Sequence, residues 1–194
     1  MLINKKITFL ILLYVLSCTL YHNAQSQVSN NVLAGVNEKV VHSLKKMFGD
    51  SVSVTLTKII LSTDEKKQIF DNAKTSWNKD TITTYVCKST SKSIIGYGFT
   101  DDVKGKVQFI TYLVGVKLSG EIVDVDILSY REAYGGEIMY ESFRKQFINK
   151  TASDQLTPGK DIKNISGATI SVRAITLGVK RILTTFELLH KRIQ

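Results

Sequence analysis

Residues 107–130 read VQFITYLVGVK, LSG, EIVDVDILSY, two strand-like runs separated by a turn. Ser119-Gly120 joins them as a tight hairpin, because glycine tolerates the positive φ that such a turn needs. Two further strand-like runs, 81–88 and 93–100, come just before, and the polar stretch 101–105 is expected to turn the chain into the hairpin. Short, turn-like connections between four successive runs dictate antiparallel pairing. The expected fold is therefore α+β, a twisted antiparallel sheet of four or more strands with helices packed against it.

Before these strands, 31–48 places Val32, Val36, Val40, Leu44 and Phe48 at spacings of four, an amphipathic helix ended by Gly49. A β-branched run at 52–61 fits a strand, after which Ser62 or Thr63 can cap a short helix reaching about Asn72. Beyond the hairpin, Gly135-Gly136 precedes a helical stretch over about 137–149 that carries Ile138, Phe143 and Phe147. A last helix, about 168–192, sets Ile175, Val179, Ile182, Phe186 and Leu189 on one stripe and ends in His190-Lys191-Arg192, which suits the negative helix terminus.

The 194 residues are 43% hydrophobic and 22% charged, inside globular limits, and no linker or repeat divides them. At the N-terminus, Lys5 and Lys6 precede an apolar run over 7–20 that is too short to span a bilayer, followed by Ala24-Gln25-Ser26. That order describes a signal peptide over 1–26 cleaved before Gln27, leaving one domain over 27–194. Val15-Leu16-Ser17-Cys18 offers a second processing, with Cys18 lipidated, and either one puts the protein in the periplasm or on the extracytoplasmic membrane face. Without the leader Cys87 stands alone, and it reads as a small buried hydrophobe. The formal charge of +9 suits an anionic partner. Basic residues mixed with acids, as in Asp101-Asp102-Val103-Lys104, look like solvated surface, and together with export this argues against nucleic acid. His22, His42 and His190 lie too far apart for a metal motif, and no residue trio suggests a catalytic triad.

The chemistry concentrates in Ser166-Gly167-Ala168-Thr169 at the start of the last helix. Ser166 can cap the helix, while Gly167 and Ala168 keep side chains small where backbone N–H groups point outward, a ready anion site. Thr169 then presents a hydroxyl beside the anion, and Arg173, one turn on, can add positive charge. Ser171 lies in the same first turn. Local chemistry leaves a plainer reading open, in which Ser166 is an ordinary cap and Thr169 an ordinary first-turn residue.

The run from Asp161 to Ser171, DIKNISGATIS, resembles the flavinylation motif of the FMN-binding domain family, which includes flavin subunits of the sodium-pumping NADH:quinone reductase and of the Rnf complex. The resemblance covers about 95–183. Gly96-Tyr97-Gly98 is similar to the family's opening strand, and 114–122 to its central hairpin. Tyr130 to Gly136, YREAYGG, falls where the family has a Glu-Thr-Pro-Gly-Leu-Gly loop on the flavin side. Ala133 and Tyr134 replace the threonine and proline there, and Glu137 stands at the second glycine. The resemblance implies FMN bonded through its phosphate to Thr169, with Ser166, Gly167, Ala168, Ser171 and Arg173 around the phosphate. On the ring side it implies Glu132, Ala133, Gly135 and Gly136.

The implied function is electron carriage in the cell envelope, with no catalytic residue of the chain's own. The implied partners are a flavin transferase for maturation and a membrane redox complex, or an envelope donor and acceptor. Two alternatives stay open: the flavin subunit of an envelope reductase acting on a small substrate, and a non-flavin binding module for acidic ligands.

Overall fold

The computed structural model describes residues 37–192, so the expected leader, Cys18 and the first turns of the helix expected from residue 31 lie outside the described residues. Helix α1 spans Glu38–Phe48, with the Asn37 side chain accepting from the Lys39 N–H and Gly49, at φ 105°, donating back to Lys45. Strand β1 (Ser53–Ile60) leads to α2 (Thr63–Ala73), whose Ser62 and Glu65 close a reciprocal capping box. Strands β2 (Thr81–Lys88), β3 (Ile94–Lys104), β4 (Phe109–Lys117) and β5 (Ile122–Ser129) follow. The sheet is antiparallel throughout, in the order β1-β2-β3-β4-β5. The hairpin of 107–130 is as expected, with Gly120 at φ 88° between β4 and β5.

Alternation along β3 assigns the two faces. Gly96 and Gly98, with Gly115 opposite Gly98 on β4, form a shallow lane in which Leu44, Met47 and Phe48 of α1 sit so close that a Cβ would collide with them. On the other face Tyr97 and Phe99 meet Phe186 of the last helix, α4 (Thr169–Leu189), at ring separations of 5.7 and 6.2 Å. Helix α4 and Ile69 of α2 fill the main core on this side with Tyr112, Val114 and Val116. Cys87 is fully buried, and burial pushes its thiol up to about 12, so it is a core side chain.

Two expectations give way. The turn placed at 101–105 is strand as far as Lys104, with Asp101 opposite Tyr112, and the chain turns at 105–108, where the Gly105 N–H bonds the Gln108 carbonyl. Asp101 is buried at 2% exposure rather than solvated, because Arg181 of α4 reaches it and the Tyr112 hydroxyl donates to it at 3.2 Å. The helix expected over 137–149 breaks into a 3-10 turn (Gly136–Met139), a single α turn, α3 (Glu141–Arg144), and a second 3-10 turn (Lys145–Phe147). Ile138, Phe143 and Phe147 are buried as expected, but the backbone leaves the helix to pair with the start of β5. The Asn149 N–H donates to Ile122 O and the Ile122 N–H to Lys150 O. No described helix is long and apolar enough to cross a membrane.

Candidate functional site

The approach to α4 is organised by Asp161, whose carboxylate accepts the N–H groups of Leu156 (3.0 Å) and Thr157 (2.5 Å) and faces Lys150 at 3.5 Å. Burial works to raise its pKa, but the amides of Thr157 and Leu156 outweigh it and hold the carboxyl below its ordinary value. The chain then makes a turn closed by Ala168 N–H to Ile165 O, with Gly167 at φ 82° in the third position, where such a turn calls for glycine. A Cβ on Gly167 would meet nothing within 4 Å. Glycine is thus required by backbone conformation, and the space above it is open.

The N-cap of α4 is Ala168, two residues later than a Ser166 cap would place it, and no side chain caps this end. Ser166 is instead an exposed turn residue. The first α-helical bond runs from Val172 N–H to Ala168 O, so the N–H groups of Thr169, Ile170 and Ser171 have no partner among the described residues. Three unpaired donors at the positive end of a long helix form an anion site. Thr169, exposed, is the first residue of the helix.

The opposite wall is the loop after β5. Gly135, at φ 87°, lies so close to buried Ala168 that a Cβ there would be 3.2 Å from the Ala168 Cα. Tyr130 latches the two segments together. Its single hydroxyl proton goes to the Tyr134 carbonyl, which can only accept, so the Ser171 hydroxyl donates to Tyr130 at 3.2 Å. Glu132 reaches away to the turn between β3 and β4, where one carboxylate oxygen accepts the N–H groups of Val107 (2.7 Å) and Gln108 (3.0 Å). Those amides, Val107 foremost, hold its pKa below the ordinary glutamate value.

These walls enclose a cleft of about 550 Å³ lined by Glu132, Ala133, Gly167, Ala168, Thr169 and Ser171, all expected from sequence, and by Lys106, Val107, Tyr134 and Ile170. A second cleft of about 300 Å³ adjoins it through Ala133, Tyr134 and Gly167, and holds Gly135, Gly136, Glu137, Met139 and Tyr140. Ser166 and Arg173 line neither; Arg173 is exposed one turn along the helix from Thr169. Sequence reasoning missed Tyr130 as the latch and Lys106 and Val107 as a wall. Lys106 shares this cleft with Thr169 only because the turn between β3 and β4 lies beside the start of α4, far off in sequence, so no local pattern marked it.

An uncapped helix start with a free hydroxyl, opening on a cleft in the size range of small-molecule sites, defines a binder of a phosphate-bearing ligand. The profile of the FMN-binding domain matches residues 105–184. The chain is 34% identical over 138 residues to the G subunit of the proton-translocating ferredoxin:NAD(+) oxidoreductase complex of Clostridium ljungdahlii, covering 66% of this chain and 70% of that protein. It is 28% identical over 126 residues to the G subunit of the Na(+)-translocating ferredoxin:NAD(+) oxidoreductase complex of Acetobacterium woodii, covering 58% and 59%. In fold it is similar to the crystal structure of Shewanella oneidensis NqrC, with a TM-score of 0.54 at 16% identity over 86% of this chain and 96% of that one. The chain belongs to the FMN-binding domain family, and FMN is its cofactor. The residues present fit that group: unpaired helix N–H groups for the phosphate, open space over Gly167, and two joined clefts for the rest of the molecule.

Proposed function

We propose that this protein is an extracytoplasmic electron carrier whose FMN is esterified through its phosphate to Thr169 and which serves a membrane redox complex. The observation that carries the reading is the uncapped start of α4, where Thr169 presents its hydroxyl beside three unpaired N–H groups at the edge of the cleft. FMN supplies reversible electron uptake; the chain holds its phosphate, seats its ring and sets the electrostatics around it. Ala133, Gly135 and Gly136 offer close backbone approach on the ring side. Ser171 acts through Tyr130, keeping the ring-side loop fixed to the phosphate end.

Attachment forms a bond between Thr169 Oγ1 and the flavin phosphorus. The transfer would need an activated flavin phosphate as donor, whose leaving group would depart with the bond it breaks, and the Thr169 hydroxyl proton would be taken up by the flavin transferase that makes the ester. A tether of this kind prevents loss of the cofactor outside the cytoplasm, where the leader over 1–26, cleaved before Gln27 or lipidated at Cys18, directs the chain. Service to a redox complex is supported by the two relatives, each belonging to an ion-translocating ferredoxin:NAD(+) oxidoreductase complex. The cleft rim agrees, because Tyr134 (82% exposed), Met139, Tyr140 and Ile170 form an apolar border that suits a docking partner.

Co-expression of the full chain with a flavin transferase, followed by intact mass and in-gel fluorescence, tests the reading. The wild type should carry one FMN adduct, and Thr169→Ala none. A non-fluorescent, unmodified wild type would sink the covalent proposal.

A further inference from the structure

Lys106 sits at the tip of the turn between β3 and β4 and lines the same cleft as Gly167, Ala168 and Thr169. It is exposed and has no ion-pair partner among the described residues, whereas Lys104 beside it lies over the Phe109 ring and donates to the Val107 carbonyl. The turn that carries it is held firmly. Glu132 accepts from Val107 and Gln108, and Gly105 lies so close to this carboxylate that no side chain fits between them. The negative charge nearest the cleft is thereby bound to backbone amides, while the ammonium of Lys106 is left free. Arg173, the cation expected from sequence, lines neither of the two joined clefts.

We propose that Lys106 is the cation that faces the flavin phosphate, opposite the N–H groups of Thr169, Ile170 and Ser171, and that Glu132 is a positioning residue that holds its turn rather than a flavin contact. The assignment rests on the Thr169 reading above. A compact ammonium and a helix start on opposite sides of one cleft bind a phosphate as a pair, each neutralising part of its charge. Such a contact strengthens phosphate capture and is weakened by salt.

The test uses the full chain with a flavin transferase and reads two quantities: the rate of adduct formation by intact mass, and the phosphorus-31 resonance of the attached flavin. Lys106→Ala should load roughly three- to tenfold more slowly at low salt, lose most of the salt dependence, and shift the phosphorus resonance. Lys106→Arg should restore both, and Arg173→Ala should leave both near wild type. Glu132→Gln, which keeps the shape but weakens the hold on the turn, should give a smaller slowing in the same direction. Wild-type loading and an unmoved resonance in Lys106→Ala would overturn the assignment. Slower loading with an unmoved resonance would overturn it too, by placing Lys106 in transferase docking. A wild-type chain that takes no flavin at all would instead refute the Thr169 reading beneath it.

Discussion

The two ends of α4 are built by opposite rules. Toward its C-terminal half, Arg181 and Thr185 are buried and bonded. Arg181 bonds Asp101, the Thr75 hydroxyl (3.0 Å) and the Ser76 carbonyl (2.9 Å) and lies 4.8 Å over the Trp77 ring, while Trp77 donates to Thr185 at 2.8 Å. Burial, with the Asp101 charge beside it, pushes the Tyr112 phenol well above its ordinary pKa. At the N-terminal end no side chain caps the helix, a positive-φ glycine precedes the Ala168 N-cap, and the first three N–H groups have no partner among the described residues. One helix therefore joins a paired, buried anchor to an end with unpaired donors. The anchor tolerates the unsatisfied end, so the site need not stabilise the fold that holds it.

Damage to the anchor puts this division under the greatest stress. Arg181→Ala leaves Asp101 buried with its main partner gone, a loss of about 3–5 kcal/mol. Thermal unfolding should show a drop on the order of ten degrees, yet the fraction that remains folded should still accept flavin at Thr169. Loss of loading in the folded fraction would mean that the two ends are not separable.

A smaller stability effect with a larger functional one is expected at Gly135. Gly135→Ala places a side chain at φ 87° and against Ala168, costing about 1–3 kcal/mol. Because the strain falls on the contact between the ring-side loop and the helix start, flavin loading should fall further than the melting temperature suggests. A parallel decline in both would contradict the separation.

The least of these effects is spectroscopic. Glu132 has a folded pKa below its ordinary value, so its grip on the turn is fully present above the unfolded pKa of about 4.3 and is lost as pH falls through the lower folded value. The amide resonances of Val107 and Gln108 should shift together in that acid range, and in Glu132→Gln this transition should vanish. A transition that persists in the variant would assign it to another group.

Much of the sheet was legible because its signals are local. The strand-like runs and the Ser119-Gly120 turn needed no distant partner, and neither did the Ser62 cap or the stripe on the last helix. Asp101 was not legible: two adjacent acids read as solvated turn, and burial of the first one is made tolerable by partners distant in sequence, Arg181 80 residues away foremost, with Tyr112 and Lys79. The helix expected over 137–149 failed for a related reason, since the buried positions Ile138, Phe143 and Phe147 were right but β5 competed for the backbone at 149–150. In the site, Gly167, Ala168 and Thr169 were legible as a helix start, although the cap moved from Ser166 to Ala168. Tyr130 and Lys106 were not, because each acquires its role from the start of α4, distant in sequence.

Three hydroxyls stand close together at the start of α4, and the proposed function requires that Thr169 alone carries the flavin. Tryptic cleavage after Lys163 and Arg173 releases residues 164–173, which contain Ser166, Thr169 and Ser171. Tandem mass spectrometry of that peptide from protein matured with a flavin transferase should place one FMN on Thr169, whose hydroxyl borders the cleft, and none on exposed Ser166 or on Ser171, which is engaged by Tyr130. Flavin on Ser166 or Ser171, or a peptide without flavin, would contradict the assignment.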